Sequence, residues 1–230
     1  LKKLQTKGII LSRTDFSEAD RILTFLTPDY GKVHVIAKGV RKIKSKMAGG
    51  IELLSVSDIG FIRGRGELST LTSTRLIKHY DVIVKDLVRT MAAYEFIKQI
   101  HKLTEDEVDE DYFLLLEQTF EALNETGISL ALVQSWFAMQ ILRLGGRSPN
   151  LLSDASGNKL NANIVYDFDF DSMTFTEIGL GQFNANHIKF LRLGFEGRPP
   201  EKLQRIEGIN QLIDEIAPLT QTMLKTYIQI

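Results

Sequence analysis

The sequence predicts an α+β chain of two parts: a small N-terminal β-barrel, then an all-α helical domain carrying a short irregular hairpin insertion. Two observations lead to that reading. The hydrophobic pattern changes from strand-like runs to helical spacing near residue 80. The charge changes at the same place. Residues 1–80 hold 15 Lys+Arg against 7 Asp+Glu, a net of +8, whereas residues 81–230 hold 13 against 22, a net of −9. Over all 230 residues the balance is only −1, so the average hides the split. A basic half of this kind points to a polyanion as partner.

The strands follow in order. Gly8-Ile9-Ile10-Leu11 is an apolar run, and Arg21 to Thr27 is rich in branched and aromatic residues. Pro28-Asp29-Tyr30-Gly31 supplies a hairpin turn, since Pro presets φ and Gly accepts the left-handed position. Lys32 to Lys38 then alternates Val33, Val35 and Ala37 with polar residues. Leu53 to Ile62 and Leu68 to Ile77 complete the set, joined by the glycine turn Arg63-Gly64-Arg65-Gly66. Five strands in about eighty residues, with the longest insertion after the third, predict a five-stranded barrel of the OB type over residues 1–80.

The helical domain is expected over 81–230. Val84, Leu87, Val88, Met91, Tyr94, Ile97 and Ile100 recur mostly at helical steps. Asp109 and Asp111 are candidate caps for a second helix whose face is Tyr112, Leu116, Phe120 and Leu123. Ser129 can cap a third helix, apolar nearly all round, that ends at Gly145-Gly146. Residues 147–183 fit neither pattern and read as an irregular excursion with a hairpin in Val165 to Thr176. The last helix has the cleanest stripe, Ile209, Leu212, Ile216, Leu219, Met223 and Tyr227, with a kink expected at Pro218.

Composition excludes several classes. With 43% hydrophobic and 25% charged residues, the chain can bury a core and is neither disordered nor fibrous. No apolar run approaches the roughly 18–20 residues that span a bilayer. No leader pattern is legible, although the chain opens Leu1-Lys2-Lys3 without Met, so a short preceding segment is expected. The absence of cysteine excludes disulfides, thiolate metal sites and cysteine nucleophiles. The expectation is a cytoplasmic, nucleoid-associated protein without cofactor.

The chemistry concentrates in one stretch. Tyr30 to Ile51 contains no acid, and Lys38, Arg41, Lys42, Lys44 and Lys46 place five cations within nine residues. Mutual repulsion makes such a loop costly to hold together unless phosphates neutralise it. Charge runs are usually solvated surface, but this one joins two strands of a predicted barrel, with Lys32 before it and Arg63 and Arg65 at the next turn. These eight cations are the candidate nucleic-acid contacts. Six phosphate contacts on a single strand predict that log K falls with log salt at a slope of about 4. Phe25, Tyr30 and Phe61 could stack on bases, but alternation places Phe25 and Phe61 inside.

Catalytic patterns are missing. Gly31-Lys32 is followed by Val33 rather than Ser or Thr, so there is no Walker loop. His34, His79, His101 and His187 are dispersed, with neither zinc-protease nor triad spacing. Asp167, Asp169 and Asp171 imitate the start of a calcium loop, but Ser172 stands where Gly is required and Ile178 where the bidentate Glu belongs. The chain therefore reads as a non-enzyme with no metal site. On the third helix, Trp136, Gln140, Arg143 and Arg147 fall on nearly one face, a possible dock for an acidic peptide with an aromatic end. A buried Trp beside two surface arginines is the competing explanation.

Several of these residues resemble the bacterial recombination mediator family RecO. The likeness is carried by Lys7-Gly8-Ile9-Ile10-Leu11, by Asp15 to Thr27 with its Glu18-Ala19-Asp20-Arg21 step, by Tyr30-Gly31-Lys32-Val33, and by Ala37-Lys38-Gly39-Val40-Arg41-Lys42. It continues through Ser45-Lys46-Met47-Ala48-Gly49 and, in order and spacing, Arg65-Gly66-Glu67-Leu68. The resemblance implies an N-terminal OB fold and a C-terminal helical domain. It also implies binding of single- and double-stranded DNA, annealing of complementary strands and action with RecR. Loading of RecA onto DNA coated by single-stranded DNA-binding protein would follow, with that protein's acidic C-terminal tail on the helical domain and RecF as a more distant partner.

One departure stands out. Many members carry a four-cysteine zinc site in the excursion, whereas this chain has Ser153-Asp154-Ala155-Ser156-Gly157 where Cys-x-x-Cys-Gly is expected. The excursion then resembles a degenerate zinc finger, held by packing of Tyr166, Phe168, Phe170 and Phe175. Two readings outside the resemblance stay open: an RNA-binding OB module, separable by comparing DNA and RNA affinity, and an interaction scaffold whose basic loop is incidental. Charge reversal at Arg41, Lys42 and Lys44 with unchanged DNA affinity would favour the scaffold.

Overall fold

The computed structural model describes residues 2–64, 66, 68–104 and 110–228. Strands β1 (Lys3–Phe16), β2 (Asp20–Thr27), β3 (Gly31–Ala37), β4 (Ser55–Ile62) and β5 (Ser69–His79) close into a barrel of order β1-β2-β3-β5-β4. All neighbours are antiparallel except β3 and β5, which pair in parallel through Val35↔Ser69 and Ile36↔Thr70. The expected OB-type barrel is present. Its first strand is far longer than the apolar run Gly8–Leu11, because β1 serves two neighbours in succession. Lys3 to Ile9 pair with β4 and Ile9 to Phe16 with β2, with a register shift between Ile10 and Ser12. The polar ends of β1 are strand only because partners supply hydrogen bonds, a signal that the hydrophobic pattern cannot carry.

Ile10, Leu23, Phe25, Val33, Val35, Ala37, Ile59, Phe61 and Leu71 fill the barrel. Gly8 is required by the close approach of that core, since a Cβ there would lie 2.8 Å from Phe25 Cδ1 and 3.1 Å from Ile59 Cδ1.

The chain divides into two compact units, Leu1–Glu125 and Thr126–Ile230. The change from strand to helix at residue 80 is therefore not where the first unit ends. Helices α1 (Asp81–Lys85), α2 (Leu87–Leu103) and α3 (Glu110–Asn124) belong with the barrel. Tyr80 is fully buried and meets Phe120 edge-on, Lys78 pairs with Glu121 at 2.6 Å, and Asn124 Oδ1 accepts from the Val82 amide at 2.9 Å. Of the two expected caps of α3, Asp109 lies outside the described residues, and Asp111 falls inside the helix. The first half of the α2 stripe faces outward: Leu87, Val88 and Met91 are exposed, while Ala92, Ala93, Phe96, Ile97 and Ile100 are buried. The two alanines and Phe96 set the packed face, which shifts it away from the larger residues counted in the periodicity.

In the second unit, α4 (Leu130–Leu144) packs against α7 (Ile209–Tyr227) and α5 (Ala185–Phe195), with the one-turn α6 (Pro200–Leu203) beside them. The Ser129 hydroxyl caps α4 by accepting from the Leu132 amide, as its position predicts. Ile213 joins Ile209, Ile216, Leu219 and Met223 in the buried stripe of α7, while Leu212 is half-buried. The excursion contains a hairpin of β6 (Tyr166–Asp169) and β7 (Thr174–Glu177), paired Phe168↔Phe175. Phe168 and Phe175 lie 5.1 Å apart, Tyr166 and Phe183 flank Phe175, and Phe170 meets Phe168. Aromatic packing thus holds the hairpin as expected. Among the described residues no helix is long and apolar enough to cross a membrane.

Candidate nucleic-acid interface

The loop between β3 and β4 is built as a structure in its own right. Its ends are pinned in the barrel core by Val40 and Ile51, each almost completely buried, and Met47 packs partly against that core. Gly39 takes φ +65°, the left-handed conformation that glycine tolerates best. In that conformation its amide donates to Asp20 Oδ1 at 2.7 Å. The Arg41 amide donates to Ala19 O at 3.0 Å, and the Arg41 guanidinium reaches Ser17 O at 3.3 Å and Asp15 at 3.4 Å. The two most distinctive sequence steps, Glu18-Ala19-Asp20-Arg21 and Ala37-Lys38-Gly39-Val40-Arg41-Lys42, are therefore one device. The acidic step at the β1–β2 turn supplies acceptors that hold the basic step in place. Arg21 hydrogen-bonds Asp15 at 2.8 Å and is the main reason its carboxyl lies below the usual carboxylate value, with Arg41 and Arg13 acting in the same direction.

On the far side the loop is tied to β5, where the Thr74 hydroxyl donates to Met47 O at 2.9 Å. Between these anchors Lys38, Arg41, Lys42, Lys44 and Lys46 are all exposed. Five cations thus share one fixed frame, and Arg41 is a strut as well as a charge.

The remaining candidates separate from that cluster. Lys32 is half-buried and donates to His101 O at 3.1 Å, a cation placed at the C-terminal end of α2 where the helix dipole favours it. His101 is itself held below its usual value by burial, with Lys32 and His34 adding to the effect. Arg63 is exposed but sits 5.8 Å over the ring of Tyr30, at the opposite end of β3 from Lys38. The seven residues Gly31–Ala37 put roughly 20 Å of strand between them. Arg65 lies outside the described residues. Phe25 and Phe61 are fully buried, and Tyr30 is half-buried with Phe61 edge-on at 5.6 Å. Neither phenylalanine is available for stacking. The composition of the loop hid Asp15, Asp20 and Thr74 as positioning residues, because their partners are distant in sequence.

The second candidate face requires a correction. Trp136 is 1% exposed, so it cannot form a docking surface with Arg143 and Arg147. Helix α4 is central to its unit, and its aromatic side chain is core. Arg143 and Arg147 are exposed, and Arg143 Nε donates to Gln140 Oε1 at 2.9 Å. Gln140 is buried and its amide donates to Gly194 O at 2.6 Å, which makes it a tie between α4 and α5.

Sequence reading also passed over His187, which is buried beside a cleft of about 440 Å³ between α5 and α7. Its Nδ1 accepts from the Asn184 amide at 3.1 Å, so Nε2 carries the proton and donates to Glu215 at 2.5 Å. That bond, with a second from Gln211, holds the Glu215 carboxyl below its ordinary value of 4.5. A carboxyl lowered in the folded state stabilises the fold above its unfolded value and loses that contribution as pH falls through the lowered one. Thermal stability followed by Trp136 fluorescence is expected to decline on acidification below 4.5, and Glu215→Gln is expected to flatten that decline.

In the excursion, the buried Asp154 closes the turn through Ser156 and Asn158. Its Oδ1 accepts from the Ser156 and Asn158 amides at 2.9 and 2.8 Å, and its own amide donates to Asn158 O. Among the described residues no group of three or more His, Asp or Glu side chains could hold a metal ion. Asp154→Ala leaves those amides without an acceptor and is expected to cost about 1–3 kcal/mol. Urea unfolding followed by Trp136 fluorescence measures it, and a loss near zero would show that the aromatic ladder alone holds the excursion.

A closed five-stranded, OB-like barrel with a framed basic loop, followed by helices, defines an α+β class of two-part chain. The comparisons make it specific. Residues 1–80 match the family model described as Recombination protein O N terminal, and residues 84–230 match Recombination protein O C terminal. The chain belongs to the recombination protein O family. Among curated relatives, DNA repair protein RecO of Dehalococcoides mccartyi (strain CBDB1) is 37% identical over 164 residues, 70% of this chain and 64% of the relative. The protein of that name from Bifidobacterium longum subsp. infantis is 32% identical over 195 residues, covering 78% of this chain and 80% of the relative. That from Moorella thermoacetica is 35% identical over 148 residues, 64% of this chain and 54% of the relative. The chain thus spans a little under two thirds of the Dehalococcoides relative.

Proposed function

We propose that this chain is a non-enzymatic mediator of DNA repair and recombination whose barrel, residues 1–80, grips a DNA strand by its sugar–phosphate backbone. The observation that carries the reading is the loop of residues 38–46, with five exposed cations on a frame anchored by Asp20 and Ala19. Lysines held at fixed spacing without acids among them attract successive phosphates and release their counterions on binding. Phosphate contacts set register without reading sequence, so the bases remain free to pair, which suits annealing. Single strands and duplexes both offer the backbone, and Arg63 extends the contact for a strand laid along β3. Membership in a family whose relatives are called DNA repair proteins favours DNA over RNA.

The acids of the helical half crowd into residues 81–125, which hold 12 Asp+Glu against 4 Lys+Arg, and that stretch repels nucleic acid and suits protein partners. In this reading RecR acts with the chain, and the tail of single-stranded DNA-binding protein docks on the helical part near Arg143 and Arg147 without Trp136. RecA loading and RecF lie downstream, in the cytoplasm at the nucleoid. The test is annealing of complementary strands pre-coated with single-stranded DNA-binding protein, with RecR present. The wild-type chain is expected to anneal them, and a Lys42→Glu, Lys44→Glu, Lys46→Glu variant is expected not to. Equal annealing by both would overturn the proposal.

A further inference from the structure

We infer that Ile43 is the base-contacting residue of the basic loop and makes it select single-stranded DNA over duplex. This inference rests on the loop being the phosphate-gripping element. The Ser45 amide donates to Lys42 O at 2.9 Å, closing a turn with Ile43 and Lys44 at its corners. Corners open to water ordinarily carry Gly, Pro, Asn, Asp or Ser. Here the corner is a β-branched apolar side chain at 104% relative exposure, above every other large hydrophobic among the described residues.

The fold has no use for that side chain. Val40 and Ile51 already anchor the loop in the core and Met47 supports it, whereas Ile43 points at solvent. Its neighbours in sequence are Lys42 and Lys44, with Arg41 one step further on one side and Lys46 two steps further on the other. A ligand for this tip must present negative charge on both sides of an apolar surface. A single DNA strand does so at every nucleotide, since phosphates alternate with bases whose π-faces are open when unstacked. In duplex DNA those faces are stacked on one another, and only base edges reach the grooves. An aliphatic tip covers one face of a base and leaves its pairing edge free, which is compatible with annealing.

The experiment uses the full chain and oligonucleotides carrying 2-aminopurine, single-stranded and duplex, across a salt series. Ile43→Ser is expected to weaken single-strand binding about tenfold, to remove the 2-aminopurine response, and to leave the salt slope and duplex affinity unchanged. Ile43→Trp is expected to restore single-strand affinity. Unchanged single-strand affinity and 2-aminopurine signal in Ile43→Ser would overturn the inference while leaving the phosphate grip standing. Equal losses on single strand and duplex would also overturn it, since the residue would then serve the loop rather than the base. If the wild-type chain shows no salt-dependent DNA binding, the underlying reading fails with it.

Discussion

Replacing Lys42, Lys44 and Lys46 with Glu is expected to weaken single-strand DNA binding by at least two orders of magnitude near 50 mM salt, with the fold unchanged. All three side chains are exposed, and the hydrogen bonds that frame the loop come from the main chain or from other residues. The five cations of the loop set a salt slope of about 3.5 on a single strand, and losing three contacts lowers it by about 2. Adding three negative charges beside the remaining Lys38 and Arg41 deepens the loss. Fluorescence anisotropy over a salt series gives both quantities. A triple variant with the wild-type slope would show that the phosphates lie elsewhere and return the loop to the status of solvated surface. Arg63, at the opposite end of β3, supplies an internal comparison. Its replacement by Glu is expected to matter less, since it removes one contact of a longer path.

The second large effect runs against simple electrostatics. Asp20→Ala removes a negative charge close to the basic loop, and charge counting alone would make DNA binding tighter. The geometry reverses the sign. Asp20 Oδ1 is the acceptor for the Gly39 amide, and Gly39 must hold a left-handed φ for the loop to leave β3 in its observed direction. Without the carboxylate, a half-buried amide loses its partner at a cost of about 1–3 kcal/mol, and five mutually repelling cations lose their frame. The variant is expected to bind DNA about tenfold more weakly and to melt lower. Asp20→Asn, which keeps an acceptor oxygen, should recover most of both. Tighter DNA binding by Asp20→Ala would mean that the loop needs no frame.

The outline of this protein was legible from local patterns. Alternation and turn residues marked β2, β3 and the hairpin of the excursion, and the Ser129 cap marked the start of α4, because each depends on residues close in sequence. The density of lysine between Lys38 and Lys46 marked the candidate interface for the same reason. Periodicity was less reliable where small residues pack, as in α2, whose buried face follows Ala92 and Ala93 rather than Leu87 and Met91. It was silent on the polar ends of β1, which become strand only through β4 and β2.

By itself, then, the amino-acid order marked most of the strand and helix segments and where the positive charge lies. These are properties of short windows and of composition. Only the tertiary structure decided that Asp20 frames the basic step, that Lys32 is diverted to the end of α2, that Arg63 stands a strand's length away, that Trp136 is core, and that the unit containing the barrel runs on through α3. Each of those outcomes is a contact between residues remote in the chain, and burial and hydrogen-bond partnership are settled by which surfaces meet once the chain has folded.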